Sequence, residues 1–156
     1  MAIYLTLEGV DGPISEPIKK AIELGNFQFG VGCALAREKN KGYKRESEPS
    51  LSEITVTKIA DKTTTTLFKE VCGGTYWKKG EITVTKLVNK QPEPFFKLQM
   101  EEVFVSGWSL SSGGDSPSES MSLAFNKIKV CFNPEEEGKL KGFVDAGWSL
   151  LTDKPW

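Results

Sequence analysis

The chain has 156 residues, 38% hydrophobic and 26% charged, with a formal net charge of −1 and no histidine. Such a composition fits one globular domain spanning 1–156, and its balanced charge gives no reason to expect nucleic acid or membrane insertion. The missing histidine excludes Ser/His/Asp and Cys/His catalytic sets and zinc sites of the usual kind, and no apolar run approaches the ~18 residues of a membrane span.

Taken in chain order, the dominant period is two. In MAIYLTLEGVDG, Ile3, Leu5 and Leu7 alternate with Tyr4, Thr6 and Glu8, which predicts a first strand. No basic leader precedes it, so a cleaved signal peptide is not expected. From Phe27 to Leu35 the odd positions Phe27, Phe29, Val31, Cys33 and Leu35 are apolar. The even positions Gln28, Gly30, Gly32 and Ala34 are small or polar, so the segment predicts one strand with a buried face and a smooth face. GVGCAL at 30–35 lacks the third glycine of a dinucleotide loop and sits inside this strand pattern, which rules that reading out.

Residues 37–50, REKNKGYKRESEPS, carry five Lys/Arg and three Glu. Mixed charge predicts a solvated or self-complementary arm that leaves a strand at Ala36 and re-enters one at Glu53. A stretch of that length without structure is uncommon in a compact domain unless it has a task.

Further strands are expected at 53–60, 75–88, 95–110, 119–132 and 143–151. EITVTKIADK, from Glu53, and EITVTKLVNK, from Glu81, nearly repeat each other 28 residues apart. Both copies place Ile54/Val56 and Ile82/Val84 on one face, with Thr55/Thr57 and Thr83/Thr85 on the other. A third copy would begin at 109, where SLSSGGDSPSES is serine-rich and reads as a flexible connector, so a solenoid is excluded. GWSL recurs at 107–110 and 147–150.

Between the repeats, DKTTTTLFKEVCGG predicts a short helix capped by Asp61 or Thr63. Leu67, Phe68, Val71 and Cys72 would form its buried face, and Gly73 and Gly74 its stop. Inside 119–132, Met121, Leu123 and Phe125 lie in one phase and Ile128, Val130 and Phe132 in the other. That flip predicts a bulge or a crossing between two sheets.

Candidate chemistry is sparse. Glu101/Glu102 read as a bulge and Glu135–Glu137, between Pro134 and Gly138, as a solvated turn. Cys33, Cys72 and Cys131 form no CxxC pair and read as reduced, buried small hydrophobes, with a surface disulfide as the alternative. No catalytic, cofactor or metal site is expected.

The block SEITVTKIADKTTTTLFKEVCGGTYWKKGEITVTK resembles the Hcp family, the haemolysin-coregulated proteins of type VI secretion. The shared phrase is a strand ending in Thr57–Lys58, then Asp61, a Ser/Thr-rich helix at 63–72, and Gly73. The following strands match at Leu98, Val103, Val105, Ser106, Gly113 and Gly114, and then at Glu119, Leu123 and Phe125. AIYLTLEGVDG and the closing GWSL are similar to the family's first and last strands, so the resemblance covers nearly the whole chain. Residues 37–50 depart from it, being more charged than the Gly-rich arm common in the family.

The resemblance implies a mainly β protein, a two-sheet β-barrel of phage tail-tube type with one short flanking helix. It implies a non-catalytic subunit that forms homohexameric rings stacking head to tail, with a VgrG-type spike, a contractile sheath and effector proteins in the lumen as partners. Synthesis in the bacterial cytoplasm and export by the apparatus would follow. On this reading Gln28, Gly30 and Gly32 are candidate lumen residues, the alternative being that small side chains there only permit close packing. Arg37, Lys39, Lys41, Tyr43, Lys44, Arg45 and Leu51 form the candidate ring-stacking arm. Two rival classes remain: a small-molecule-binding β-barrel with an apolar interior cavity, and a carboxylate enzyme with a pair of acids in a cleft.

Overall fold

The structure, a computed structural model, describes all residues from Met1 to Trp156. Its elements begin with β1 (Ala2–Leu7), β2 (Ile22–Leu24), β3 (Asn26–Gln28), β4 (Val31–Gly32), β5 (Leu35–Glu38), β6 (Gly42–Arg45), β7 (Ser50–Leu51) and β8 (Ile54–Ile59). Helix α1 (Thr64–Gly73) separates β8 from β9 (Tyr76–Val88) and β10 (Gln91–Ser111). The chain closes with β11 (Ser118–Ala124), β12 (Lys127–Phe132), β13 (Glu135–Glu136), β14 (Lys139–Leu140), β15 (Val144–Ser149) and β16 (Lys154–Pro155).

The β9–β10 hairpin spans the molecule and carries both layers. On the free side of β10 lie β11 and β12, end to end: β11 pairs with Phe104–Ser111 and β12 with Phe96–Glu101. Beyond β11 come β8 and β3; beyond β12 come β15 and β16; on the far side of β9 come β1 and β2. The phase flip between Phe125 and Ile128 is therefore the crossing that the pattern predicts. β10 changes its buried phase at the same level, from Leu98 and Met100 to Val103. Glu102 stands at that change with φ +55°, so the Glu101/Glu102 irregularity marks a backbone bend.

The layers meet again at Gly25. There β2, bonded to β1, runs into β3, bonded to β8, and the Gly25 amide donates to the Thr57 carbonyl at 2.7 Å. The resulting two-sheet barrel encloses a cluster of 17 buried residues including Leu5, Ile22, Ile54, Val56, Ile82, Leu98, Met100, Met121 and Leu123. Side chains fill the interior, as alternation on every strand requires.

Helix α1 starts on a reciprocal turn. Asp61 Oδ1 accepts the Thr63 amide at 2.8 Å, and Thr64 Oγ1 accepts the Asp61 amide at 3.0 Å, so Asp61 is the capping side chain. At the other end Gly74 has φ +69°, and the Gly74 and Thr75 amides return to the Val71 and Glu70 carbonyls. This left-handed stop needs a residue without Cβ. Leu67 is completely buried, as predicted. Phe68 is not: it is 52% exposed, and its ring rests against Trp108 at 5.4 Å. A helix this short buries a narrow stripe, and Phe68 falls on the stripe's border.

The expected single strand over 27–35 is divided among β3, β4 and the start of β5. Phe27 and Phe29 pack against the core, whereas Val31 and Leu35 are exposed at 62% and 58%. Alternation persists there because the segment remains extended, but beyond Phe29 it has left the barrel. Half of the serine-rich stretch is likewise strand, since Ser109–Ser111 close β10 and Ser118–Ser120 open β11, and the connector shrinks to 112–117.

Candidate functional site

Three of the residues that carry the family resemblance, Lys58, Asp61 and Glu119, meet in one cluster. Lys58 and Glu119 sit opposite each other on β8 and β11, their side chains fully buried and joined as an ion pair. Lys58 Nζ also lies 3.2 Å from Asp61 Oδ1. The two Glu119 oxygens are further used by Thr64 Oγ1, donating at 3.0 Å, and Trp108 Nε1, donating at 2.7 Å. Buried charge is tolerated because it is paired and hydrogen-bonded on every side. No position is left for a substrate, so the cluster locks α1 onto β8, β10 and β11. Lys58, Asp61 and Glu119 stand apart in the sequence, which does not show that they meet; the inward phase of Lys58 and Glu119, shared with Val56 and Met121, was the available signal.

Gln28, the first candidate lumen residue, is exposed on β3 and pairs with Thr55 of β8, which pairs in turn with Ser122 of β11. It therefore shares the outer face of the β3–β8–β11–β10 sheet. Gly30 and Gly32 do not join it. Gly30 exchanges hydrogen bonds with Ser52 at 2.9 Å, and Gly32 pairs with Ser50 in the small β4–β7 ladder. Both belong to the base of the arm.

The arm has structure. β5 and β6 form a hairpin with Leu35 opposite Arg45 and Glu38 opposite Gly42, turning through Asn40 at φ +67° and Gly42 at φ +76°. Its charges are largely satisfied within it: Lys41 and Lys44 each lie 3.5 Å from Glu38, and Arg45 lies 3.5 Å from Glu48. Arg37 stacks over Tyr43 at 5.8 Å, and Tyr43 is 68% exposed. Arg37 and Lys39 make no ion pair within the chain. Leu51 stays behind, packed against the core through β7. The mixed composition of 37–50 thus encodes a self-complementary arm, and its structure is a hairpin, because alternating Lys/Glu and an Asn–Lys–Gly turn suit a ladder.

The remaining candidates resolve into structural roles. Glu101 pairs with Lys127 at 3.7 Å, Glu102 accepts from Asn126, Glu135 pairs with Lys86, and Glu136 lies 3.9 Å from Lys141. All three cysteines are free thiols, and only Cys131 is buried; Cys33 and Cys72 are exposed, contrary to expectation. Cys33 lies on the segment that left the barrel, and Cys72 on the open side of a short helix. A cleft of about 490 Å³ beside β1 and β9 carries both signs of charge, Glu8 and Asp11 against Lys19, Lys79 and Lys129, with Trp156 at its rim.

The chain is thus a β scaffold with a flanking helix, a buried ion pair and a projecting hairpin. The family model "Type VI secretion system effector, Hcp" matches residues 4–132, and the chain belongs to the Hcp family. A type six secretion system protein of solved structure is 25% identical and superposes with a TM-score of 0.90 over 99% of each chain. Hcp1 from Salmonella typhimurium is 19% identical, with a TM-score of 0.81 over 99% of this chain and 98% of that one. A type VI secretion system effector from Yersinia pestis is 14% identical, with a TM-score of 0.75 over 94% and 98%. No curated protein matches the chain by sequence. No helix is long and apolar enough to cross a membrane.

Proposed function

We propose that the chain is a non-catalytic structural subunit of the type VI inner tube, forming hexameric rings that stack head to tail. The tube is expelled through a contractile sheath behind a VgrG-type spike, carries effector proteins in its lumen and leaves the cytoplasm by that route. One observation carries the reading: a core layer runs out of the barrel and is left uncovered.

Met100, Leu98 and Phe96 of β10 are in register with Ile128, Val130 and Phe132 of β12, and these with Trp148, Ala146 and Val144 of β15. Met100 and Leu98 are buried, while Val130, Phe132 and Val144 are exposed at 37%, 45% and 63%. Against this wing the base of the arm forms an apolar groove of about 220 Å³, lined by Phe29, Val31, Leu51, Val130, Ala146 and Trp148 among others. A contiguous apolar surface of this kind marks a contact with another protein. A closed ring covers it on every copy by a heterologous contact.

The filled interior supports a structural barrel over a ligand-holding one, which needs a cavity at its centre. Light scattering on the purified protein tests the reading. Six chain masses are expected, falling to one in Val144→Glu, whose site is already exposed in the single chain. A parent protein that is monomeric across concentration would overturn it.

A further inference from the structure

The cleft of about 490 Å³ beside β1 and β9 lies outside the filled barrel. Its floor is the outer face of the sheet, where Glu81 of β9, Gln99 of β10 and Lys129 of β12 stand in one row. The connection from β1 to β2 forms one wall and contributes Glu8, Asp11, Lys19 and Lys20. Trp156, beyond β12, closes the other side. Four carboxylates and four ammonium groups line the cleft, so their number alone gives no preference for either sign.

Pairing breaks that symmetry. Asp11 lies 3.3 Å from Lys20, and Glu101 lies 3.7 Å from Lys127. Glu81 lies 3.5 Å from Lys97 and also accepts from Thr83 Oγ1 and Gln99 Nε2, each at 3.0 Å. Lys97 and Lys127 are not part of the lining, so they cancel two of its acids without using one of its lysines. Lys19, Lys79 and Lys129 make no ion pair, and Glu8 is the one lining acid that makes none. Three free ammonium groups therefore stand against one free carboxylate.

Lys129 is held in a way that leaves its charge available. It is half-buried, and its Nζ lies 4.6 Å from the centroid of the Trp156 ring. An aromatic face attracts an ammonium group without neutralising it, whereas a carboxylate would do both. The tail that carries this ring is tied down, since the Trp156 amide donates to the Gly147 carbonyl at 3.0 Å. Lys79 stands one row away, opposite Glu101, and β10 runs between its strand and that of Lys129. Two strand spacings set the two stems about 10 Å apart. An anion with several charges in series meets both better than one with a single centre. Lysine binds phosphate as a point charge with three donors, and linked phosphates supply such a series.

We propose that this cleft binds a short phosphate chain, either the linked phosphates of a nucleotide or inorganic polyphosphate. Lys79 and Lys129 hold the chain along the floor, and Lys19 reaches it from the wall. The site lies within a single chain and does not depend on the ring reading. A bound phosphate chain ties the β1–β2 connection to β9 and β12, so it should also raise the melting temperature.

Titration calorimetry on the purified protein tests this, with tripolyphosphate, ATP, AMP and a hexaglutamate peptide as probes at low salt. Tripolyphosphate and ATP should both bind, and AMP should bind at least about ten-fold more weakly, because it cannot span the two lysines. Tighter binding of ATP assigns the site to a nucleotide, and tighter binding of tripolyphosphate assigns it to inorganic polyphosphate. Lys79→Gln and Lys129→Gln should each weaken binding about ten-fold and abolish most of the thermal shift. Glu8→Gln should strengthen it about two-fold by removing the opposing charge. Lys39→Gln, which removes an equally unpaired charge from the distant arm, should change nothing. Absence of binding by both phosphate chains would overturn the proposal, as would AMP or hexaglutamate binding as tightly as tripolyphosphate. An equal loss in Lys39→Gln would also overturn it, by reducing the effect to net charge.

Discussion

Lys58 and Glu119 show how a single pair can hold an element in place. Each is fully buried, and each is the other's principal compensation for lost water. Removing one partner strands the other, at a cost of about 3–5 kcal/mol, whereas replacing both with apolar residues of similar size is close to neutral. Lys58→Met or Glu119→Leu alone should therefore lower the melting temperature sharply, and the double substitution should recover most of the loss. Equal losses in singles and double would show that shape, not charge, matters at this site. Cys131 gives a second residue-scale expectation. Burial first, and then the Asp145 carboxylate, push its thiol above the ordinary range. A group that holds its proton more tightly when folded contributes stability that is complete below the unfolded thiol pKa and lost as pH rises through the folded one. Native protein should accordingly be alkylated at Cys33 and Cys72 but not at Cys131, and parent stability should fall with alkaline pH more than that of Cys131→Ala. A parallel pH dependence in the two proteins would contradict this.

Among the elements, the arm is the one whose task is most open to a direct test. Its hairpin pairs only with itself, and its internal ion pairs leave Arg37, Lys39 and Tyr43 to face outward. Lys44→Glu/Arg45→Glu places like charges beside Glu38 and Glu48. Exposed pairs are worth only about 0–1 kcal/mol each, so the barrel should stay folded while the hairpin splays. Single rings are expected to persist and stacked tubes to disappear, and tubes of the parent should shorten as salt rises. Normal tubes from the double variant would leave the arm without a part in stacking. The strands themselves show what periodicity can and cannot reveal. Ile54/Val56 and Ile82/Val84 point inward as alternation requires, yet the repeated phrase occupies two unlike settings. Lys58 is buried in β8, whereas its counterpart Lys86 in β9 is partly exposed beside Glu135. Alternation reports which face a residue takes; whether that face is covered depends on strands distant in sequence. For the same reason Phe29 and Val31 look alike in the sequence, and only Phe29 reaches the core.

At the scale of the whole molecule, the chain is a barrel with one charged outer face, one neutral outer face and an uncovered apolar wing between arm and edge. The barrel and its helix were legible from period-two patterning, the phase flip at 125–128 and the glycine stop at 73–74, because each is a local consequence of backbone geometry. The neutral face was only half legible. Gln28 and the outward threonines stood in the pattern, but their alignment with Ser120 and Ser122 is a matter of register between separate strands. The wing was not legible at all, since Val130 and Phe132 read as core, whereas the structure leaves them 37% and 45% exposed. The measurement that bears most directly on the tube reading is an averaged electron-microscopy map of the purified protein. It should show a six-fold ring with an open centre, Gln28, Thr55 and Ser122 lining the hole, and the Val130–Phe132 wing covered by the next copy. A six-fold ring with the Glu81–Lys129 face lining the hole, or particles without an annular form, would contradict it.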